Sequence, residues 1–120
     1  MLRIGVDMID VARVERTRQR HGERFFTRFF TAAERAYCAD RTERLAVRIA
    51  AKEAAAKAIG TGIGDVRWVD LEVGCDARGR PILHLHGDAA RLAAELGLQT
   101  WEISLSHTET QAIAFVVATG

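Results

Sequence analysis

An α+β fold, with a mainly antiparallel sheet packed against helices, is what this sequence of 120 residues predicts. Three observations lead there. Both ends of the chain alternate apolar and polar residues with the two-residue period of a half-buried strand. The middle holds one long alanine-rich stretch. After it, short alternating segments are joined by turn-forming residues, and hairpins at that density favour antiparallel pairing with helices to one side.

In "LRIGVDMID", Leu2, Ile4 and Val6 form an apolar row that the spacing predicts to be the inner face, with Asp7 pointing away from it. Asp10 can cap a helix through "VARVERTRQR", where Val11 and Val14 make the inner edge and Arg13, Arg16 and Arg20 an outer stripe. "TAAE", Thr31 to Glu34, has the form of a capping box and starts a second short helix. A third helix runs from near Thr42 to Gly60. "RWVDLEV", the turn "DARGRP" and "ILHLH" read as a hairpin, with His84 and His86 outward. "GDAARLAAELG" is a helix capped by Asp88 and stopped by Gly97. "TWEISLS" turns Trp101, Ile103 and Leu105 to one face, and "QAIAFVVA" supplies the last strand.

The length suits a single domain spanning 1–120, able to bury its own core. A hydrophobic fraction of 48%, a charged fraction of 28% and a mean hydropathy of −0.04 describe an ordinary globular chain. No apolar run reaches the ~20 residues of a membrane span, and acids come too early for a signal peptide, so a cytoplasmic protein is expected. Cys38 and Cys75 lack the spacing of a zinc or redox pair and read as reduced packing residues. Residues 13–28 carry six arginines against two glutamates, a surface for a polyanion or an acidic protein.

The chemistry concentrates in "RIAAKEAAAKAIGTGIG". Leu45, Ile49, Glu53 and Lys57 recur at intervals of four, so Glu53 continues an apolar seam and should be partly buried. On spacing alone, an i,i+4 pair with Lys57 accounts for it. The sharper reading is a metal ligand, since hard cations such as Mg²⁺ accept one or two carboxylates and complete their shell with water and phosphate oxygens. Asp7 is the second acid; alone it reads as a turn residue. Arg44, Arg48 and Lys52 form a basic row that either solubilises the helix or clamps phosphate. The glycines of "GTGIG" follow a helix C-terminus, whose dipole repels anions, so Gly60 is first a C-cap. "SLSHTET" sets Ser106, His107 and Thr108 at a sheet edge.

Together "GVDMIDVARVER", "RIAAKEAAAKAIGTGIG" and "SLSHTETQAIAFVVA" resemble, in order and spacing, the holo-acyl-carrier-protein synthases, the small single-domain 4'-phosphopantetheinyl transferases. The likeness runs from Ile4 to the last residue. It implies the 4'-phosphopantetheinyl transferase fold and a Mg²⁺-dependent enzyme of fatty acid biosynthesis. Such an enzyme moves the phosphopantetheine arm of coenzyme A onto a serine of apo acyl carrier protein, releasing adenosine 3',5'-bisphosphate. Asp7 and Glu53 match the metal ligands, and Glu53 and Lys57 the catalytic pair. Arg48, Lys57, Gly60, Thr61, Gly62, Pro81, Ser106, His107 and Thr108 match coenzyme A contacts, several supplied across the subunit boundaries of a homotrimer. Arg13, Arg24, Phe25 and Arg28 match the docking site of the acidic carrier. Neither a nucleic acid nor a membrane is an expected partner.

Two other readings compete. A non-catalytic module would bind an acidic protein or RNA through residues 13–28, sensitive to salt and indifferent to metal. A regulatory domain would bind coenzyme A without turning it over.

Overall fold

Alanine, the best helix former, also lets a helix lie very close to a sheet. The computed structural model describes Met1–Gly120 and arranges the chain around one such helix. In order come β1 (Leu2–Asp10), α1 (Val11–His21), α2 (Glu23–Phe29), α3 (Ala32–Cys38) and α4 (Thr42–Ile59). A 3-10 turn at Trp68–Asp70 leads into β2 (Leu71–Cys75) and β3 (Pro81–Leu85), followed by α5 (Gly87–Glu95), β4 (Thr100–His107) and β5 (Gln111–Thr119). Both sheets are antiparallel: one has the order β1-β5-β4, the other is the hairpin β2-β3. This is the α+β arrangement that the alternation predicts.

Helix α4 packs on the three-stranded sheet. Ala50, Ala51, Ala54, Ala55 and Ala58 are fully buried, and so are Ala112, Ala114, Val116 and Ala118 of β5. On β1 the contact is closer still: a Cβ at Gly5 would collide with the carbonyl oxygen of Ala54. Gly60 ends α4 with φ of 98°, in the left-handed region that a residue without a Cβ enters freely.

The inner face of β1 is therefore Arg3, Gly5, Asp7 and Ile9, opposite to expectation. Leu2, Ile4, Val6 and Met8 are 65%, 61%, 46% and 66% exposed, and Ile113 and Phe115 of β5 extend the same outward apolar face. The reason is the close approach at Gly5, where there is no room even for a Cβ against Ala54 of α4, so the face that carries Gly5 is the one that packs on the helix.

Three other expectations change. Four helices, not three, follow β1, because "ERFFTRF" forms α2, separated from α1 by Gly22 at φ of 58°. Its Phe25 and Phe26 are buried with Phe30, beneath α1 and the first half of α4. Helix α5 is N-capped by His86 rather than Asp88, which lies in the first turn and pairs with Arg91. Lys52 leaves the basic row: it is fully buried, with Nζ 2.8 Å from Glu34 Oε1 and donating to the carbonyls of Trp68 and Leu71. Glu34 also completes the predicted capping box with Thr31 and accepts from the Val73 amide. The pair thus joins α3, α4 and the start of β2, while burial pulls the Lys52 ammonium below its ordinary value against the counter-pull of Glu34.

The caps of α1 and α3 match expectation. Asp10 accepts from the Ala12 amide, and both bonds of the Thr31–Glu34 box are present. His84 and His86 face outward, and the His86 ring lies 3.0 Å from Glu72 Oε1.

Candidate active site

The antiparallel run of α4 against β1 brings Glu53 and Lys57 opposite Asp7. Lys57 Nζ donates to the Val6 carbonyl at 3.0 Å and to Asp7 Oδ1 at 3.1 Å. Asp7 and Glu53 lie within hydrogen-bonding reach of each other. Two carboxylates this close disfavour double ionisation. Burial, with the Asp7 hydrogen bond and charge adding to it, pushes Glu53 from 4.5 up to about 7, against the opposing pull of Lys57 and Arg13. Asp7 is only 14% exposed at its side chain, whereas Lys57 is 55% exposed.

Such a pair suits a divalent ion. Two carboxylates on separate, rigid elements offer hard oxygen ligands, and a dication would relieve their mutual repulsion. No further His, Cys, Asp or Glu completes a cluster of three. The remaining ligands of an ion held here would come from water or a phosphate-bearing substrate, as Mg²⁺ prefers.

Beside the carboxylates opens a cavity of about 380 Å³, lined by Met8, Ile9, Arg13, Phe25, Ile49 and Trp68 among others. A second depression of about 450 Å³ lies between α1 and α2 and includes Arg24, Phe25 and Arg28. Arg13, Arg24 and Arg28 are exposed, while Phe25 is 1% exposed and serves as the floor beneath both depressions.

The other candidate contacts sit elsewhere. Arg48, Pro81 and His107 line a third cavity of about 460 Å³ between α4, the hairpin turn and β4. None of its lining residues borders the cavity at Asp7 and Glu53. Ser106 and Thr108 flank His107 and are exposed, but the Thr108 hydroxyl is engaged by the amides of Thr110 and Gln111 in the turn. Gly60, Thr61 and Gly62 follow the opposite end of α4, about 18 Å along the axis from Arg48 at 1.5 Å per residue. Arg3 Nη1 faces the carbonyls of Ala58 and Ile59 there, at 3.5 and 3.4 Å, softening the negative helix end.

One chain thus gathers Asp7, Glu53 and Lys57 at one site and Arg48, Pro81 and His107 at another. Tyr37, Arg80 and Ser104 also line the Arg48 cavity. Nothing in the sequence marks them, because they come from α3, a turn and β4 and meet only on folding.

The profile of the 4'-phosphopantetheinyl transferase superfamily matches residues 3–116. The holo-[acyl-carrier-protein] synthase of Herpetosiphon aurantiacus is 47% identical over 127 residues, covering 100% of both chains. That of Alkalilimnicola ehrlichii is 50% identical over 119 residues, covering 95% of this chain and 93% of its own. Among solved structures, Neisseria meningitidis holo-[acyl-carrier-protein] synthase superposes with a TM-score of 0.90 at 34% identity, covering 98% of each chain. The Helicobacter pylori enzyme in complex with coenzyme A gives 0.89 at 30% identity, covering 97% of this chain and 99% of that one.

Proposed function

The chain belongs to the 4'-phosphopantetheinyl transferase superfamily, and from that premise we propose that it transfers the 4'-phosphopantetheine arm of coenzyme A to a serine of apo acyl carrier protein. The observation that carries this reading is the meeting of Asp7, Glu53 and Lys57 at one face of α4. It occurs in a chain that aligns over its length with curated proteins of that activity.

In the reaction, the serine oxygen bonds to the phosphorus on the pantetheine side of the pyrophosphate. The bond from that phosphorus to the bridging oxygen breaks, and the oxygen leaves with adenosine 3',5'-bisphosphate. Glu53 takes the serine proton. Lys57 lies against the reacting phosphate and offsets charge on the leaving bisphosphate. Asp7 orients Lys57 through the 3.1 Å bond. Mg²⁺ is the ion we assign to Asp7 and Glu53, and when bound it would neutralise that pair and grip pyrophosphate oxygens.

Coenzyme A would extend from this centre along Gly60, Thr61 and Gly62 of one chain toward Arg48, Pro81, Ser106, His107 and Thr108 of another. The exposed apolar face of Ile4, Val6, Met8, Ile113 and Phe115 supports self-association, and the resemblance supplies the homotrimer. An acidic carrier is drawn to Arg13, Arg24 and Arg28, over the floor made by Phe25. We assign the reaction to the cytoplasm; no helix is long and apolar enough to cross a membrane.

The test is direct. The protein, coenzyme A, Mg²⁺ and apo acyl carrier protein are mixed, and the carrier is weighed by mass spectrometry. One added phosphopantetheine is the expected result, lost with a chelator and with Glu53→Gln. A carrier of unchanged mass under all metals tried would sink the reading.

A further inference from the structure

Three guanidinium groups, of Arg44, Arg48 and Arg80, line the 460 Å³ cavity together with His107. Only Arg80 has a carboxylate partner, Glu102 of β4. Arg44 and Arg48, one turn apart on α4, donate only to backbone carbonyls, of Tyr37 at 3.2 Å and of Arg44 at 3.3 Å. Arg48 is 5% exposed and its Nε has no hydrogen-bond partner. A buried cation without a counter-charge or a full set of acceptors is costly, so something must offset it.

What stands there is an aromatic ring. Tyr37, in the last turn of α3, lies with its ring centre 4.6 Å from the Arg48 guanidinium carbon and 5.7 Å from that of Arg44. The negative face of a ring attracts a guanidinium and fixes its plane. The bond that Tyr37 makes to Arg44 uses its backbone carbonyl, so the ring face, not the hydroxyl, organises the pair.

We propose that Tyr37 is a positioning residue for coenzyme A, holding Arg44 and Arg48 ready for the phosphomonoester on its ribose. This rests on the function proposed above. Coenzyme A carries two anionic groups, and the pyrophosphate is assigned to Lys57 and the carboxylate pair. The remaining dianion needs its own site, and paired guanidinium forks match its oxygens. A phosphate oxygen would also supply the acceptor that Arg48 lacks.

Tyr37→Ala, Tyr37→Leu and Tyr37→Phe are compared in the transfer assay with coenzyme A and with dephospho-coenzyme A. Calorimetry measures adenosine 3',5'-bisphosphate binding to each. Because Tyr37 is 46% exposed, the variants should fold, which thermal melting checks. Tyr37→Ala and Tyr37→Leu are expected to raise KM for coenzyme A and weaken bisphosphate binding by about three- to tenfold, with kcat and the carrier's KM unchanged. Tyr37→Phe should restore both, and dephospho-coenzyme A should show no penalty. A packing role would instead be rescued by leucine. An unchanged Tyr37→Ala, an equal penalty on both substrates, or a Tyr37→Phe as poor as Tyr37→Ala overturns the proposal. If the parent protein neither transfers nor binds the bisphosphate, the function itself fails and this falls with it. If the parent works and Arg48→Ala is impaired while Tyr37→Ala is not, only the role of Tyr37 fails.

Discussion

Gly5 and Ala54 are in such close register that any side chain on the first would collide with the carbonyl oxygen of the second. That contact sets the spacing between β1 and α4, and Asp7, two residues on, meets Glu53 and Lys57 across it. Gly5→Ala is therefore expected to cost about 3 kcal/mol or more, as overpacking against unyielding backbone does. Chemical denaturation measures the loss, and the surviving folded fraction should transfer poorly because the carboxylates have been levered apart.

The raised proton affinity of Glu53 makes stability depend on pH in a definite sense. Its folded-state value of about 7 lies above the ordinary 4.5, so the folded chain holds a proton that the unfolded chain gives up in between. The stabilising contribution is complete below pH ~4.5 and drains away as pH rises through about 7. In metal-free buffer this contribution to the melting temperature should fall across that window. Glu53→Gln should remove that part of the slope. Added Mg²⁺ should oppose it, since the ion takes the place of the proton.

Lys52 and Glu34 should matter to folding and not to chemistry. Lys52→Met leaves the Glu34 carboxylate buried without its cation, with an expected cost of about 3–5 kcal/mol. Urea titration reads the cost. Turnover per folded molecule should hold, because the pair is sealed from every cavity named above.

Charge reversal on α2 separates docking from catalysis. Arg24→Glu with Arg28→Glu should raise KM for the carrier several-fold and blunt its salt dependence, leaving KM for coenzyme A in place. Steady-state kinetics at two ionic strengths decide it; a parallel change in both KM values would remove these arginines from the docking surface.

How much of this the sequence discloses depends on whether a signal is local. The caps of α1 and α3, the alanine helix with its glycine stop and the terminal strands are written in neighbouring residues, and the structure has them where the pattern puts them; the hairpin forms as expected but its first strand begins only at Leu71, because Trp68–Asp70 tighten into a 3-10 turn. Helix α2 is easily overlooked although Phe25, Phe26, Phe29 and Phe30 alternate in pairs with the exposed Glu23, Arg24, Thr27 and Arg28, because it is only seven residues long and Gly22 alone parts it from α1. Alternation in β1 separates two faces without saying which is inner, and apolar residues there face outward while Gly5 and Asp7 meet α4. Lys52 shared the spacing of Arg48, and only Glu34, arriving from α3, makes it a core residue. For the site, the residue types of Asp7 and Glu53 were legible and their meeting was not, since it is made by a contact spanning most of the first half of the chain.

The carboxylate pair and the Arg48 cavity share no lining residue. If each working centre is stitched from two neighbours, defects on different halves should heal one another. Glu53→Gln, inert alone, and Arg48→Ala, impaired alone, would together transfer better than either when co-refolded, with roughly a quarter of the junctions intact in a random ring. An enzyme whose every subunit is self-sufficient offers no such complementation.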